Sequence, residues 1–290
     1  MRRRRNISAV VLLSLSLAGL AGCGQQVDAP AAVTPAPVVT AGPALYADVT
    51  VRMEEAGNAR FVFSGAGGGE PVSGAASIRF VDGGQYTADV VLTMEQSGEV
   101  RAVLAPQASY LALPPTKGIP KDKPWLKLTP AAKTPLAQRL LPIVAQLRET
   151  FDPASSVGLL QAAQRVKELG PALVEGIATT RYRAQVSLER IVGMADGAAN
   201  PEYVSLYEAG VTSLRYDVWV DMSGLPRRYR VELPRADGVY SVTGVYRDWG
   251  RAPAVQVPAP KSVFDASKIK PDEPKQRNGS GRRKAGRGEG

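Results

Sequence analysis

Histidine is absent from all 290 residues, and cysteine occurs once, at position 23. Without histidine there is no Ser-His-Asp or Cys-His arrangement and no histidine-bearing metal site. A Gly-rich phosphate loop is also missing: "GAGGGE" (residues 65–70) lacks the Lys-Ser/Thr ending and reads as a flexible hairpin turn. No apolar run approaches the roughly 20 residues that a membrane-crossing helix needs. The longest, with Val10, Val11, Leu12, Leu13, Leu15, Leu17 and Leu20, is short and interrupted by Ser and Gly. Basic surface is scarce too. Of the net charge of +9, four units belong to Arg2–Arg5 and five to residues 267–290, which leaves residues 6–266 neutral. A nucleic-acid-binding fold needs a basic surface, so nucleic acid is rejected as a partner.

What is present begins at the N-terminus. The Arg2–Arg5 block, the short apolar run and the small residues Ala21 and Gly22 have the order of a secretion signal over residues 1–22. Leu20-Ala21-Gly22-Cys23 resembles the bacterial lipobox. That resemblance implies a diacylglycerol on the Cys23 thiol and cleavage before Cys23. No cofactor beyond this covalent diacylglycerol is expected. With the thiol acylated, thiolate chemistry and cysteine metal sites are excluded as well. Two acyl chains matter because one alone gives only marginal membrane binding. The expected location is the extracytoplasmic face of the cell membrane, lipid-anchored and not spanning. Residues 23–45, with four prolines and no aromatic residue before position 45, read as a disordered tether reaching up to ~60 Å.

From Tyr46 to Val263 the pattern is that of a folded domain, and residues 264–290 read as a disordered basic tail. "YADVTVRM" places Val49, Val51 and Met53 on one face of an expected strand. Further alternation follows to "PWLKL" at 124–128, the clearest case being Tyr86, Ala88, Val90, Leu92 and Met94. Two amphipathic helices are expected next, over 134–150 and 152–170; Pro142 kinks the first or starts a new turn, and the second stops at Gly170. Alternation returns from residue 180, broken by a short helical insertion in "NPEYVSLYEAG"; Leu214, Tyr216, Val218, Val220 and Met222 share a face. About eleven strands with one apolar face exceed what two short helices can cover flat, so the sheet must curl. The fold class expected is α+β: a strongly curled antiparallel β half-barrel closed by amphipathic helices.

The lipobox, the tether, the strand meander, "PWLKL", the paired helices, "LVEGIATTRYRAQVSL" (173–188) and "YDVWVDMSGLPRRYRVEL" (216–233) together resemble actinobacterial lipoproteins of the LppX/LprG group, related in fold to the LolA and LolB carriers. The matching positions are Val174, Gly176, Thr179 and Tyr182, then Trp219, Asp221, Gly224, Leu225 and Arg227. The resemblance implies an apolar cavity for acyl chains, a lipid or lipoglycan cargo and an envelope transporter as a partner. The basic tail and the insertion near 190–210 depart from that pattern. The inward alternation set nominates Ile78, Phe80, Val90, Leu92, Met94, Leu104, Val186, Leu188, Val218 and Val220 as cavity lining, with Leu140, Val144 and Leu160 as lid. The alternative is a non-enzymatic interaction or regulatory module in which the same side chains fill a solid core. An enzyme is not expected. Ser-Lys and paired-carboxylate chemistry carry no local motif, and Asp217, Asp221, Glu232 and Asp248 fall on the outer, solvated face. Trp219 among them is expected to pack under the insertion helix.

Overall fold

The computed structural model describes residues 39–66, 71–81, 84–95, 98–116, 118–194, 201–235 and 238–269. The signal segment, Cys23, most of the expected tether, the centre of the "GAGGGE" turn and the tail beyond Ile269 lie outside the described residues.

Alternating burial builds one sheet. Its strands are β1 (Val39–Thr40), β2 (Asn58–Ala66), β3 (Val72–Val81), β4 (Gln85–Met94), β5 (Gly98–Ala105), β6 (Ala108–Ala112), β7 (Trp125–Leu128), β8 (Val166–Val174), β9 (Ile177–Ser187), β10 (Ser213–Asp221), β11 (Pro226–Arg235), β12 (Gly238–Arg247) and β13 (Val263–Asp265). The thirteen strands lie in the order β1-β8-β9-β10-β11-β12-β2-β3-β4-β5-β6-β7-β13, so two antiparallel meanders meet where β12 pairs with β2. Only β13 runs parallel to its neighbour, β7. Among the described residues β1 and β13 do not pair, and the sheet stays open. Its inner face carries the core, as in β4, where Tyr86, Ala88 and Val90 are buried and Asp89 and Thr93 are not. The fold is the expected α+β half-barrel of curled antiparallel strands, with helices α1 (Gly42–Ala56), α2 (Pro135–Phe151), α3 (Pro153–Ala162), α4 (Leu188–Met194) and α5 (Pro201–Glu208).

Five expectations are corrected. Residues 46–53 are helical, within α1: Val49 and Met53, four apart, are buried at 1%, while Val51 between them is 51% exposed. A helix and a strand both satisfy that spacing over eight residues, and Pro43 in the first turn and Gly57 at the C-cap decide for helix. The same helix takes in residues 42–45 of the expected tether. The helix expected over 152–170 ends at Ala162, because Val166 pairs with Ala184 as the start of β8; Gly170, at φ +94°, sits where that pairing shifts register. Met222 is 95% exposed in the turn after β10 and shares no face with Val220. Residues 264–269, read as tail, belong to the fold: β13 extends the sheet, and buried Ala266 accepts a 2.9 Å hydrogen bond from Thr134 Oγ1.

Helix α2 runs through Pro142 and is capped by Thr134, whose hydroxyl accepts from the Ala137 N–H. Asp152 closes α2 and caps α3, accepting from the Ala154 N–H at 2.9 Å. Burial raises the Asp152 carboxyl above its ordinary value, against the opposing hydrogen bonds from Ala154 and Ser155.

Candidate functional site

Toward one end of β3–β5, β11 and β12 the interior is hollow. Register places Val72 opposite Met94, Leu92 opposite Val100, Val231 opposite Val242 and Leu233 opposite Tyr240, all near the same ends of their strands. Together with Phe63 and Tyr229 these side chains form one wall of a half-open cavity of about 720 Å³. The opposite wall comes from Ile143 and Leu147 of α2, Leu159 and Ala162 of α3, Ile191 and Met194 of α4, and Tyr203 of α5. Gln146, Glu149 and Thr150 of α2 and Ser155 and Gln161 of α3 add polar groups. Among the described lining residues Glu149 is the only charged side chain.

An aromatic cluster forms the floor. Phe61 stands with its ring 4.7 Å from Tyr246, 6.0 Å from Tyr229 and 6.1 Å from both Phe63 and Phe151. Two strand glycines make room for these rings. A Cβ on Gly74 would lie 2.4 Å from the Phe63 ring, and one on Gly244 would lie 2.3 Å from the Tyr229 ring. The helices are fastened to this floor by hydrogen bonds. Tyr246 Oη and Ser156 Oγ are 2.6 Å apart, and Tyr216 donates to the Ser156 carbonyl at 2.7 Å. Arg148 of α2 reaches the β5–β6 turn, donating to the Ala105 and Ala108 carbonyls and to Ser109 Oγ, while Tyr86 donates to the Arg148 carbonyl. Burial pushes the phenols of Tyr216, Tyr229 and Tyr246 well above their ordinary range, so all three stay neutral. Tyr216 and Tyr246 serve as hydrogen-bonding groups and Tyr229 as cavity surface.

Of the thirteen nominated positions, Leu92 and Met94 line the cavity. Ile78, Val90, Leu104, Leu160, Val186, Leu188 and Val218 are at most 1% exposed and belong to the packed core, as do Val144 and Val220. Phe80 stacks on Trp249 at 6.0 Å, and Leu140 is a partly buried neighbour of the core. The β11–β12 contribution was visible as alternation in "YRVELP" and "GVYSV", but nothing in those letters separates a hollow interior from a filled one.

The outer face of β9–β11 also departs from expectation. Asp217 is 3% exposed, held by Arg183 (2.7 and 2.9 Å) and by Arg181. Burial alone would raise its carboxyl; the hydrogen bonds from Arg183 and Arg181 outweigh that and hold it below the ordinary value. Asp221 is likewise enclosed, taking hydrogen bonds from Arg227, Ser223 and Leu225. Glu232 and Asp248 are more open and pair with Arg215 and Arg60. Trp219 is covered not by a helix but by two guanidiniums, Arg181 at 4.9 Å and Arg228 at 5.6 Å from its ring. No helix among the described residues is long and apolar enough to cross a membrane.

No family model matches the chain, and a search of curated proteins finds no match. Several solved structures are similar. The Mycobacterium tuberculosis lipoprotein LppX is 15% identical, with 74% of this chain and 99% of that chain covered and a TM-score of 0.45. LprF from Mycobacterium bovis is 12% identical, with 78% and 99% covered and a TM-score of 0.47. An outer membrane lipoprotein-sorting protein domain from Vibrio parahaemolyticus is 8% identical, with 71% and 89% covered and a TM-score of 0.22. LppX belongs to the group that the sequence resembles. The curled sheet itself rests on this chain's own strand register.

Proposed function

We propose that the cavity holds the acyl chains of a lipid or lipoglycan, and that the protein carries or presents this cargo in the cell envelope while anchored through diacylglycerol on Cys23. The observation that carries the reading is the cavity itself: about 720 Å³, apolar on both walls and open at one side. Small-molecule sites span roughly 300–1,000 Å³. At ~30 Å³ for each water-sized group, the volume suits on the order of twenty methylenes. Each buried methylene contributes about 0.8 kcal/mol. The polar groups of α2 and α3 would meet the head group, and no covalent step is involved.

Two tryptophan substitutions test it. Leu92 lines the cavity and is only partly buried, so Leu92→Trp should fill space there, lower bound lipid and leave Tm within a few degrees. Val218 is fully buried, so Val218→Trp, the block that alternation alone would nominate, should overpack the core instead. That costs roughly 1–3 kcal/mol, with Tm falling about 2–4 °C for each kcal/mol in a domain of this size. Unchanged lipid in Leu92→Trp, measured by extraction and mass spectrometry, would contradict the assignment.

The anchor has its own test. Cys23→Ser should move the protein out of the membrane fraction and out of the detergent phase on partitioning. Unchanged partitioning would remove the anchor from the account.

A further inference from the structure

Two adjacent hairpin tips hold large apolar side chains in water. Leu173 is 71% exposed and Ile177 39% exposed at the β8–β9 tip, and Met222 is 95% exposed at the β10–β11 tip. Leu173 pairs with Ala178, and Asp221 pairs with Thr179, so Met222 falls beside the Leu173–Ala178 row. The second tip is rigid: Asp221 accepts from the Ser223 and Leu225 N–H groups at 2.8 and 3.1 Å, and its own N–H donates to the Leu225 carbonyl at 2.9 Å. The acids at the tips are neutralised, Glu175 by Arg247 and Asp221 by Arg227.

Behind these tips the outer face carries a grid of arginines. Register sets Arg181, Trp219 and Arg228 in one row across three strands, and Arg183, Asp217 and Arg230 in the next row on that face. Glu232, in the row beyond, is shared by Arg230 (3.4 Å) and Arg215 (2.8 Å), so the three rows together hold five guanidiniums against two carboxylates, a net +3. The Nε atoms of Arg181 and Arg228 are buried without a hydrogen-bond partner, and the Arg228 guanidinium lies over the Trp219 ring, 5.6 Å from its centroid. At about 3.3 Å per residue the first arginine row stands ~10 Å behind Met222 and the second ~17 Å behind it. Interfacial apolar groups sink about 5–10 Å into the headgroup region. Buried tips would therefore bring the first row to the lipid phosphates and leave the second within about one Debye length of them.

The geometry points to these two hairpin tips and the arginine grid as a docking edge for an anionic bilayer surface, the tips entering the interface and the arginines meeting the head groups. Apolar tips flanked by a net positive face complement an anionic bilayer in both respects; a soluble acidic polymer would use the charge and leave the tips in water. The cavity begins at Tyr229, three residues from Pro226 along β11, and extends to Leu233, seven residues from it, so docking holds it ~10 to ~23 Å farther out. The edge is separate from the cavity and does not depend on what the cavity holds.

The test uses the chain from residue 24 onward, which lacks the anchor and keeps every described residue. It is sedimented with vesicles of equal parts phosphatidylglycerol and phosphatidylcholine, and with phosphatidylcholine alone. The parent should be retained on the anionic vesicles several-fold more strongly. Met222→Asp combined with Leu173→Asp changes only exposed positions and should lower that retention about tenfold. Arg181→Gln combined with Arg228→Gln should lower it roughly 25-fold, at about fivefold per arginine near the surface. The basic tail is present in every variant, and lipid content by mass spectrometry should stay at the parent's level in all of them. Equal retention of the parent on both vesicle types, or tip variants retained like the parent, overturns the proposal. Loss in the arginine variants alone, with soluble alginate competing, assigns the face to an acidic polymer and overturns it equally.

Discussion

Phe61→Ala is expected to lower stability by about 3–5 kcal/mol, the range for removing a buried phenylalanine from a packed core. Phe61 is 2% exposed, and four other rings stand within 6.1 Å of its own. The glycines that seat the neighbouring rings, Gly74 and Gly244, have no side chain with which to refill the space. The void would also open toward the cavity, since Phe63 and Tyr229 border both. Urea or guanidinium unfolding measures the effect through the midpoint at constant slope. A loss below about 1 kcal/mol would mean that the rings collapse freely onto one another and that the floor is not a fixed partition.

Asp217→Ala is expected to cost about 2–3 kcal/mol. Breaking a fully buried ion pair costs about 3–5 kcal/mol, but Arg181 and Arg183 keep 33% and 38% of their side-chain surface in water, which screens part of that loss. The pH dependence identifies the cause. The Asp217 carboxyl is held below its ordinary value, so its contribution is present above the unfolded aspartate pKa of about 3.9 and disappears as pH falls through the lower folded value. The stability gap between the parent and Asp217→Asn should accordingly be open at pH 7 and close in acid. A gap independent of pH would make the residue's role one of packing rather than charge.

Periodicity two was strong enough to place β2 to β7 and β9 to β12, because their apolar residues alternate along the chain, even in β10, which is buried on both faces from Tyr216 to Val220. It failed where two periods agree over a short window. Val49 and Met53 satisfy a strand and a helix alike, and Val157, Leu160, Ala163 and Val166 fit a helix although the last of them begins β8. The first was decided by Pro43 and Gly57 at the helix ends, with α1 then packing on α3, and the second by tertiary pairing of Val166 with Ala184. Strands β1 and β13, of two and three residues, carry too few letters for any period to register.

The candidate site was legible as a face but not as a volume. Alternation marks every inward side chain equally, and Ile78, Val90 and Val218 point inward as Leu92 does. Whether the space opposite is filled depends on which helix crosses it and on how far the aromatic floor extends, and neither is written in a strand's own sequence. The outer face was misread for a related reason. A carboxylate at an outward position counts as solvated until two arginines from the neighbouring strand close over it, as Arg181 and Arg183 do over Asp217.

Extraction of the protein purified from the membrane of its own cells, followed by mass spectrometry of the extract, tests the central claim most directly. The expected result is a noncovalent lipid bearing long acyl chains, near one molecule per protein in the parent and markedly less in Leu92→Trp. A parent protein that yields no lipid beyond its covalent anchor, with Leu92→Trp indistinguishable from it, would contradict the account.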